Sequence, residues 1–68
     1  IHKDIQLAQI AFDNDYAEAL SLIEELCNRV SAQQLPELHQ LLDTMRIFDV
    51  LASKQMLAQL VEQTGSHS

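Results

Sequence analysis

The chain has 68 residues, 47% of them apolar, with a net charge of −6 and one glycine, one proline and one cysteine. A chain this short buries only about 60% of the surface that its unfolded form exposes, and small domains commonly recruit disulfides, a metal or a second chain to compensate. Cys27 stands alone and no Cys/His grouping has zinc spacing, which excludes the first two devices and leaves docking on another polypeptide.

The first element is expected from about Lys3 to Phe12, where Ile5, Ala8 and Phe12 share one face and Leu7 and Ala11 lie beside it. Asp13-Asn14-Asp15 breaks it, because Asp and Asn side chains compete for backbone hydrogen bonds and favour turns and caps. Asp15 is placed to N-cap the next helix, with Glu18 three residues on completing a capping box.

The second helix is expected over about Tyr16 to Val30. At 100° per residue, Tyr16, Ala19, Leu20, Leu22, Ile23, Leu26, Cys27 and Val30 fall within an arc of about 160°. Glu18, Ser21, Glu24, Glu25 and Asn28 fall outside it, so one face is core and the other acidic. Ser31 and Gln34 offer a second capping box ahead of Pro36, and proline fits a first helical turn.

The third helix is expected from Pro36 to about Leu51, striped by Leu38, Leu41, Leu42, Met45 and Phe48. Ala52, Met56 and Leu60 continue that stripe if the helix does not break. A break near Ala52-Ser53 is the preferred reading, with Ser53 capping a fourth helix that ends near Gln63 and stops at Gly65. The fold class is therefore all-α: a small bundle of three to four amphipathic helices built on an α-hairpin, one domain over residues 1–64 with 65–68 as a disordered tail.

The segment Ala11-Phe12-Asp13-Asn14-Asp15-Tyr16-Ala17-Glu18-Ala19-Leu20 resembles the inter-helix turn of a tetratricopeptide repeat, where a Tyr-x-x-Ala pair opens the second helix. The repeat's tryptophan and spaced glycine are absent and no second copy is present, so the resemblance implies an α-hairpin and nothing further.

Reaction chemistry finds little to work with. Asp13, Asp15 and Glu24 occupy positions 1, 3 and 12 of a calcium loop, but Ala17 stands where a ligand is needed and Glu18 where the turn needs glycine. His39 is followed by Gln40-Leu41-Leu42, which lacks the lysine and small residue that follow a phosphotransfer histidine, and it reads as a boundary residue. His2 and His67 are terminal. Cys27 lies in the apolar arc of the second helix and reads as an inert thiol. One glycine excludes most phosphate-cradling loops. The expectation is a protein that is not an enzyme and takes no cofactor and no metal.

Charge and apolar surplus point to protein binding. Six acids and no basic residue lie between Lys3 and Arg29, and the four basic residues are scattered singly. That distribution opposes nucleic-acid binding, which draws its affinity from Lys and Arg on phosphates. Glu18, Glu24 and Glu25 are the candidate acidic contact for a basic partner. In a helical reading of Ile47 to Val61, the residues Ile47, Val50, Leu51, Leu57, Ala58 and Val61 lie opposite the main stripe, and an all-round apolar helix is normally buried on both sides. Either the chain folds back or that second side meets another chain; Ile47, Val50, Leu51, Leu57 and Val61 are the expected interface.

The function expected is a regulatory, adaptor or chaperone-like module that binds protein, either a second copy in a homodimer or another helical protein. The rival expectation is a dimeric DNA-binding helix-turn-helix regulator, although its recognition segment, Lys54 to Gln63, has one basic residue. An unpaired cysteine, no apolar run long enough to span a bilayer and no signal-peptide pattern make cytoplasmic the expected location.

Overall fold

Leu, Ala, Gln and Glu fill the chain, and these residues lose little freedom in a helix. The computed structural model describes residues 1–66 and resolves them into four helices: α1 (His2–Asn14), α2 (Tyr16–Arg29), α3 (Pro36–Arg46) and α4 (Val50–Gly65). The all-α class expected from the sequence is the class observed. His67 and Ser68, part of the expected tail, lie outside the described residues; Gly65 is the last residue of α4.

The breaks between helices follow from local hydrogen bonding. Asp15 N-caps α2 by accepting from the Glu18 N–H at 3.3 Å, while its own N–H donates to the Ala11 carbonyl in the last turn of α1. One residue thus ends one helix and starts the next. Ser31 and Gln34 make the reciprocal capping box in full: the Gln34 N–H donates to Ser31 Oγ, the Ser31 N–H to Gln34 Oε1, both at 3.2 Å. Pro36 then opens α3.

The third helix ends five residues before the expected Leu51. The Phe48 N–H donates to the Met45 carbonyl at 3.0 Å and the Asp49 N–H to the Thr44 carbonyl at 3.3 Å, with Phe48 in the left-handed region at φ 60°. Those two bonds around a left-handed residue form a Schellman stop. Asp49 caps α4 by accepting from the Ala52 N–H at 3.3 Å. The break expected at Ala52-Ser53 therefore falls at 47–49, and Ser53 lies inside α4, fully buried.

The helices run up, down, up and down in a ring. α1 packs on α2 and α4, α3 packs on the same two, and the diagonal pairs do not pack directly. The radius of gyration, 10.7 Å, matches the roughly 11 Å of a compact chain of this length. Ile5, Ala8 and Phe12 from α1 meet Ala19, Ile23 and Leu26 from α2, Leu38, Leu41 and Met45 from α3, and Leu57 and Leu60 from α4. Each large side chain buried there contributes about 1.5–3 kcal/mol.

Restarting the helix at Val50 also resets its phase, which corrects the expected faces of the last third. Of the residues expected to continue the stripe of α3, Leu60 is buried and Met56 packs partly against the core, whereas Phe48 is exposed. The buried face of α4 is centred on Ser53, Leu57 and Leu60, spaced i, i+4 and i+7. Leu57, expected on an outer interface, is 1% exposed and part of the core, and Val61 is half-buried against it.

Ser53 Oγ is fully buried without a hydrogen-bond partner. An orphaned hydroxyl carries a desolvation penalty, and Ala is the better helix former. Ser53→Ala is expected to raise unfolding free energy by about 1 kcal/mol in urea titration, whereas Leu26→Ala lowers it by about 2–5 kcal/mol through a cavity. A loss of stability in Ser53→Ala would show that the hydroxyl has a partner in solution.

Candidate interaction surface

The two ends of the bundle are built differently. At one end the α2–α3 loop meets the chain's first residues and the end of α4. His39 Nε2 donates to the Val30 carbonyl at 2.7 Å, closing the end of α2. The Thr64 hydroxyl donates to the Leu60 carbonyl at 2.8 Å and accepts from His2 Nδ1 at 2.9 Å. A Cβ on Gly65 would lie 2.7 Å from the His2 ring, so a larger residue there would displace the imidazole. Polar groups at this end are spent on one another.

At the other end the α1–α2 and α3–α4 junctions lie side by side. The Tyr16 hydroxyl donates to the Met45 carbonyl at 2.8 Å. The Tyr16 ring packs edge-on against Phe12, centroids 5.2 Å apart, and lies 5.8 Å from the Phe48 ring. Beyond Tyr16 the chain turns outward and leaves four large apolar side chains in solvent: Ile47 75%, Phe48 68%, Val50 50% and Leu51 70% exposed. Isolated apolar residues on a surface are ordinary, but a contiguous group marks a contact site.

The backbone at the centre of this group is strained. A left-handed conformation costs a non-glycine residue about 1–2 kcal/mol, and an aromatic residue rarely adopts it. Glycine would serve the Schellman stop better. Phe48 occupies it with its ring mostly in water and one face toward Tyr16. Strain of this kind, held by the surrounding fold, concentrates at functional sites.

Of the residues expected to form the apolar interface, the structure brings Ile47, Val50 and Leu51 together at this corner, assigns Leu57 to the interior and leaves Val61 half-buried against the core. Phe48, read from the sequence as core, is the missed member. The signal that could have found it is Asp49, as good an N-cap as Ser53 and directly ahead of Val50.

The acidic candidates divide as well. Glu18 and Glu25 are exposed on α2, while Glu24 reaches Arg46 on α3 at 3.3 Å. Asp13 faces Lys54 at 3.9 Å and Arg29 faces Asp4 at 3.7 Å. Three of the four Lys and Arg side chains thus have acidic neighbours, which leaves the remaining carboxylates in excess. Each pair is exposed and worth little singly.

Asp13, Asp15 and Glu24, the calcium-loop positions, are separately engaged with Lys54, the α2 cap and Arg46. Among the described residues no group of three His, Cys, Asp or Glu side chains could hold a metal ion, and no helix is long and apolar enough to cross a membrane. Cys27 is half-buried, its Sγ 3.7 Å from the Leu38 carbonyl, and burial pushes the thiol pKa up, with Arg46 opposing and Asp43 and Glu24 adding to the rise.

Comparison with family models, with curated proteins and with solved structures finds no match to this chain.

Phe48→Gly relieves the left-handed strain and forfeits the contact with Tyr16, itself worth about 0.5–1.5 kcal/mol. The two changes nearly cancel, so unfolding free energy is expected to stay within about 1 kcal/mol of the parent by urea denaturation. A loss of more than about 2 kcal/mol would mean that Phe48 holds the fold together and is not kept for its surface.

Proposed function

We propose that the chain is a non-enzymatic interaction module, a small regulatory or chaperone-like adaptor, that docks other proteins through the corner at Ile47–Leu51. One observation carries the reading: four large apolar side chains stand exposed together around a strained backbone that glycine would relieve. The fold does not need them there. Interfaces draw most of their energy from aromatic and aliphatic anchors at the centre of such patches, and the excess of carboxylates around the bundle adds selectivity by charge.

Two observations disfavour DNA binding through α3 and α4. The Gln63 amide donates to Glu37 at 3.2 Å, so the end of α4 lies beside the start of α3 and the pair is an antiparallel hairpin; helix-turn-helix motifs cross at about 90–120°. Lys54 and Arg46, the only cations of those helices, both face carboxylates.

Site-specific photocrosslinking tests the reading. Phe48→p-benzoylphenylalanine and the same replacement at Leu51 are expected to give a discrete protein adduct on irradiation in native cells. The same group at Gln40, exposed on α3, serves as background. Adducts at positions 48 and 51 no stronger than at position 40 would remove the corner as a docking site.

A further inference from the structure

We infer that the groove between α1 and α4, which adjoins the corner, receives a basic amphipathic helix of a partner protein; the inference rests on the interaction reading above and names the partner's chemistry. The groove has a volume of about 250 Å³, with Phe12 and Leu57 among its lining residues and Ile10, Asp13, Lys54 and Ala58 around them. That is below the 300–1,000 Å³ usual for a small-molecule pocket, and it is of a size for side chains projecting from a helix. Ile10 is 63% exposed on α1. Leu51 and Ala58, seven residues apart, lie on one stripe of α4, and both are exposed. The small Ala58 side chain permits close approach of a second helix axis.

Charge selects the occupant. Ile10 is flanked on both sides by carboxylates: Asp13 lines the α1–α4 groove with it, and Glu18 lines the shallower groove between α1 and α2. A helix whose apolar residues cover Ile10 and Leu51 brings its own flanks against those acids. Lys or Arg on the flanks is attracted and Glu or Asp repelled. The single cation of the α1–α4 groove, Lys54, holds Asp13 at 3.9 Å with both side chains more than half exposed, a weak pair that a partner's cation can replace.

A second copy of this chain does not fit the same requirement. Each copy carries −6 and none of its four helices has a net positive charge. Two acidic surfaces brought together repel, most strongly at low salt.

The test uses two designed peptides of about 18 residues, or five helical turns. They share one leucine stripe and differ in having lysine or glutamate at every other position. Affinity is read by fluorescence anisotropy and the site by amide chemical shifts on the labelled protein, with circular dichroism confirming that each variant is folded. The lysine peptide is expected to bind, to shift Ile10, Asp13, Leu51 and Ala58, and to bind more weakly as salt rises. Ile10→Ser should weaken it by about tenfold or more, as cutting back an apolar anchor does. Lys54→Gln should tighten it several-fold by freeing Asp13. Equal binding of the glutamate peptide, shifts confined to other faces, an Ile10→Ser variant that binds as the parent does, or dimerisation through this groove in sedimentation equilibrium would each overturn the inference. Crosslinking at positions 48 and 51 that persists while both peptides fail removes the basic helix and leaves the docking corner standing; loss of both removes both.

Discussion

The Met45 carbonyl accepts two hydrogen bonds, one from the Phe48 N–H that ends α3 and one from the Tyr16 hydroxyl at the start of α2. A helix leaves its last carbonyls without intrahelical partners, and a buried carbonyl left unpaired is costly. Here the partners come from both sides of the junction. The Schellman bond reverses the chain so that α4 can return along α3, and the tyrosine ties that reversal to the α1–α2 hairpin. Without the reversal, residues 47–61 would extend the rod of α3 and leave Leu57 and Leu60 uncovered.

The return of α4 has local consequences that gather in one short stretch. Phe48 sits in a left-handed backbone, Ser53 carries an unpartnered buried hydroxyl, and Ile47, Val50 and Leu51 stand in solvent. Elsewhere the conflicts are fewer: Asp15 and the Ser31–Gln34 pair make their capping bonds and the core stripes are buried, although Ile1, Leu7 and Ile10 also stand exposed. A folded sequence is usually consistent from level to level, and conflicts that survive tend to mark function. Residues 47–53 hold the densest group of conflicts in this chain. The strain at Phe48 and its ring contact with Tyr16 are of similar size, so the fold tolerates the arrangement without being improved by it.

The first half of the fold is legible in the sequence because its signals are local. Asp15 marks the start of α2 and Ser31 with Gln34 the turn before Pro36; the Ser31–Gln34 pair bonds both ways, whereas the Asp15–Glu18 box forms only its Glu18 N–H bond, the Asp15 N–H going to the Ala11 carbonyl. The i, i+4, i+7 stripe of Ala19, Ile23 and Leu26 is likewise visible in one helix. The second half is legible only in part. A Schellman stop is normally announced by glycine or asparagine, and this one is made by phenylalanine. A stripe extrapolated from Leu38 to Leu60 therefore crosses a break that its own residues conceal. Once the phase resets at Val50, Leu57 goes in and Phe48 comes out, while Leu60 stays in and Ile47, Val50 and Leu51 stay out. The corner was recoverable as an apolar surplus in Ile47–Val61, but which members face solvent depends on the position of one turn. The groove beside Ile10 depends on how α1 and α4 pack, and no spacing within either helix encodes that.

The two ends of the bundle are closed by different means. Both ends join the same kinds of helix by short connections, so both face the same problem of unpaired backbone groups. The end at Val30 and Thr64 solves it with polar side chains that close on each other: His39 on the Val30 carbonyl, Ser31 with Gln34, His2 on Thr64. The end at Tyr16 and Phe48 solves it with a tyrosine hydroxyl and a strained main-chain turn, which leaves large apolar side chains for the outside. Polar closure was available there, since Asn or Gly at position 48 completes the same hydrogen bonds with less strain. Carrying phenylalanine instead costs solubility and backbone energy at once, and contact with another apolar surface recovers both, by burying the ring and by giving the turn a second set of packing partners. On the docking reading proposed above, the net charge of −6 disfavours contact between two copies through this corner and favours a partner that brings positive charge.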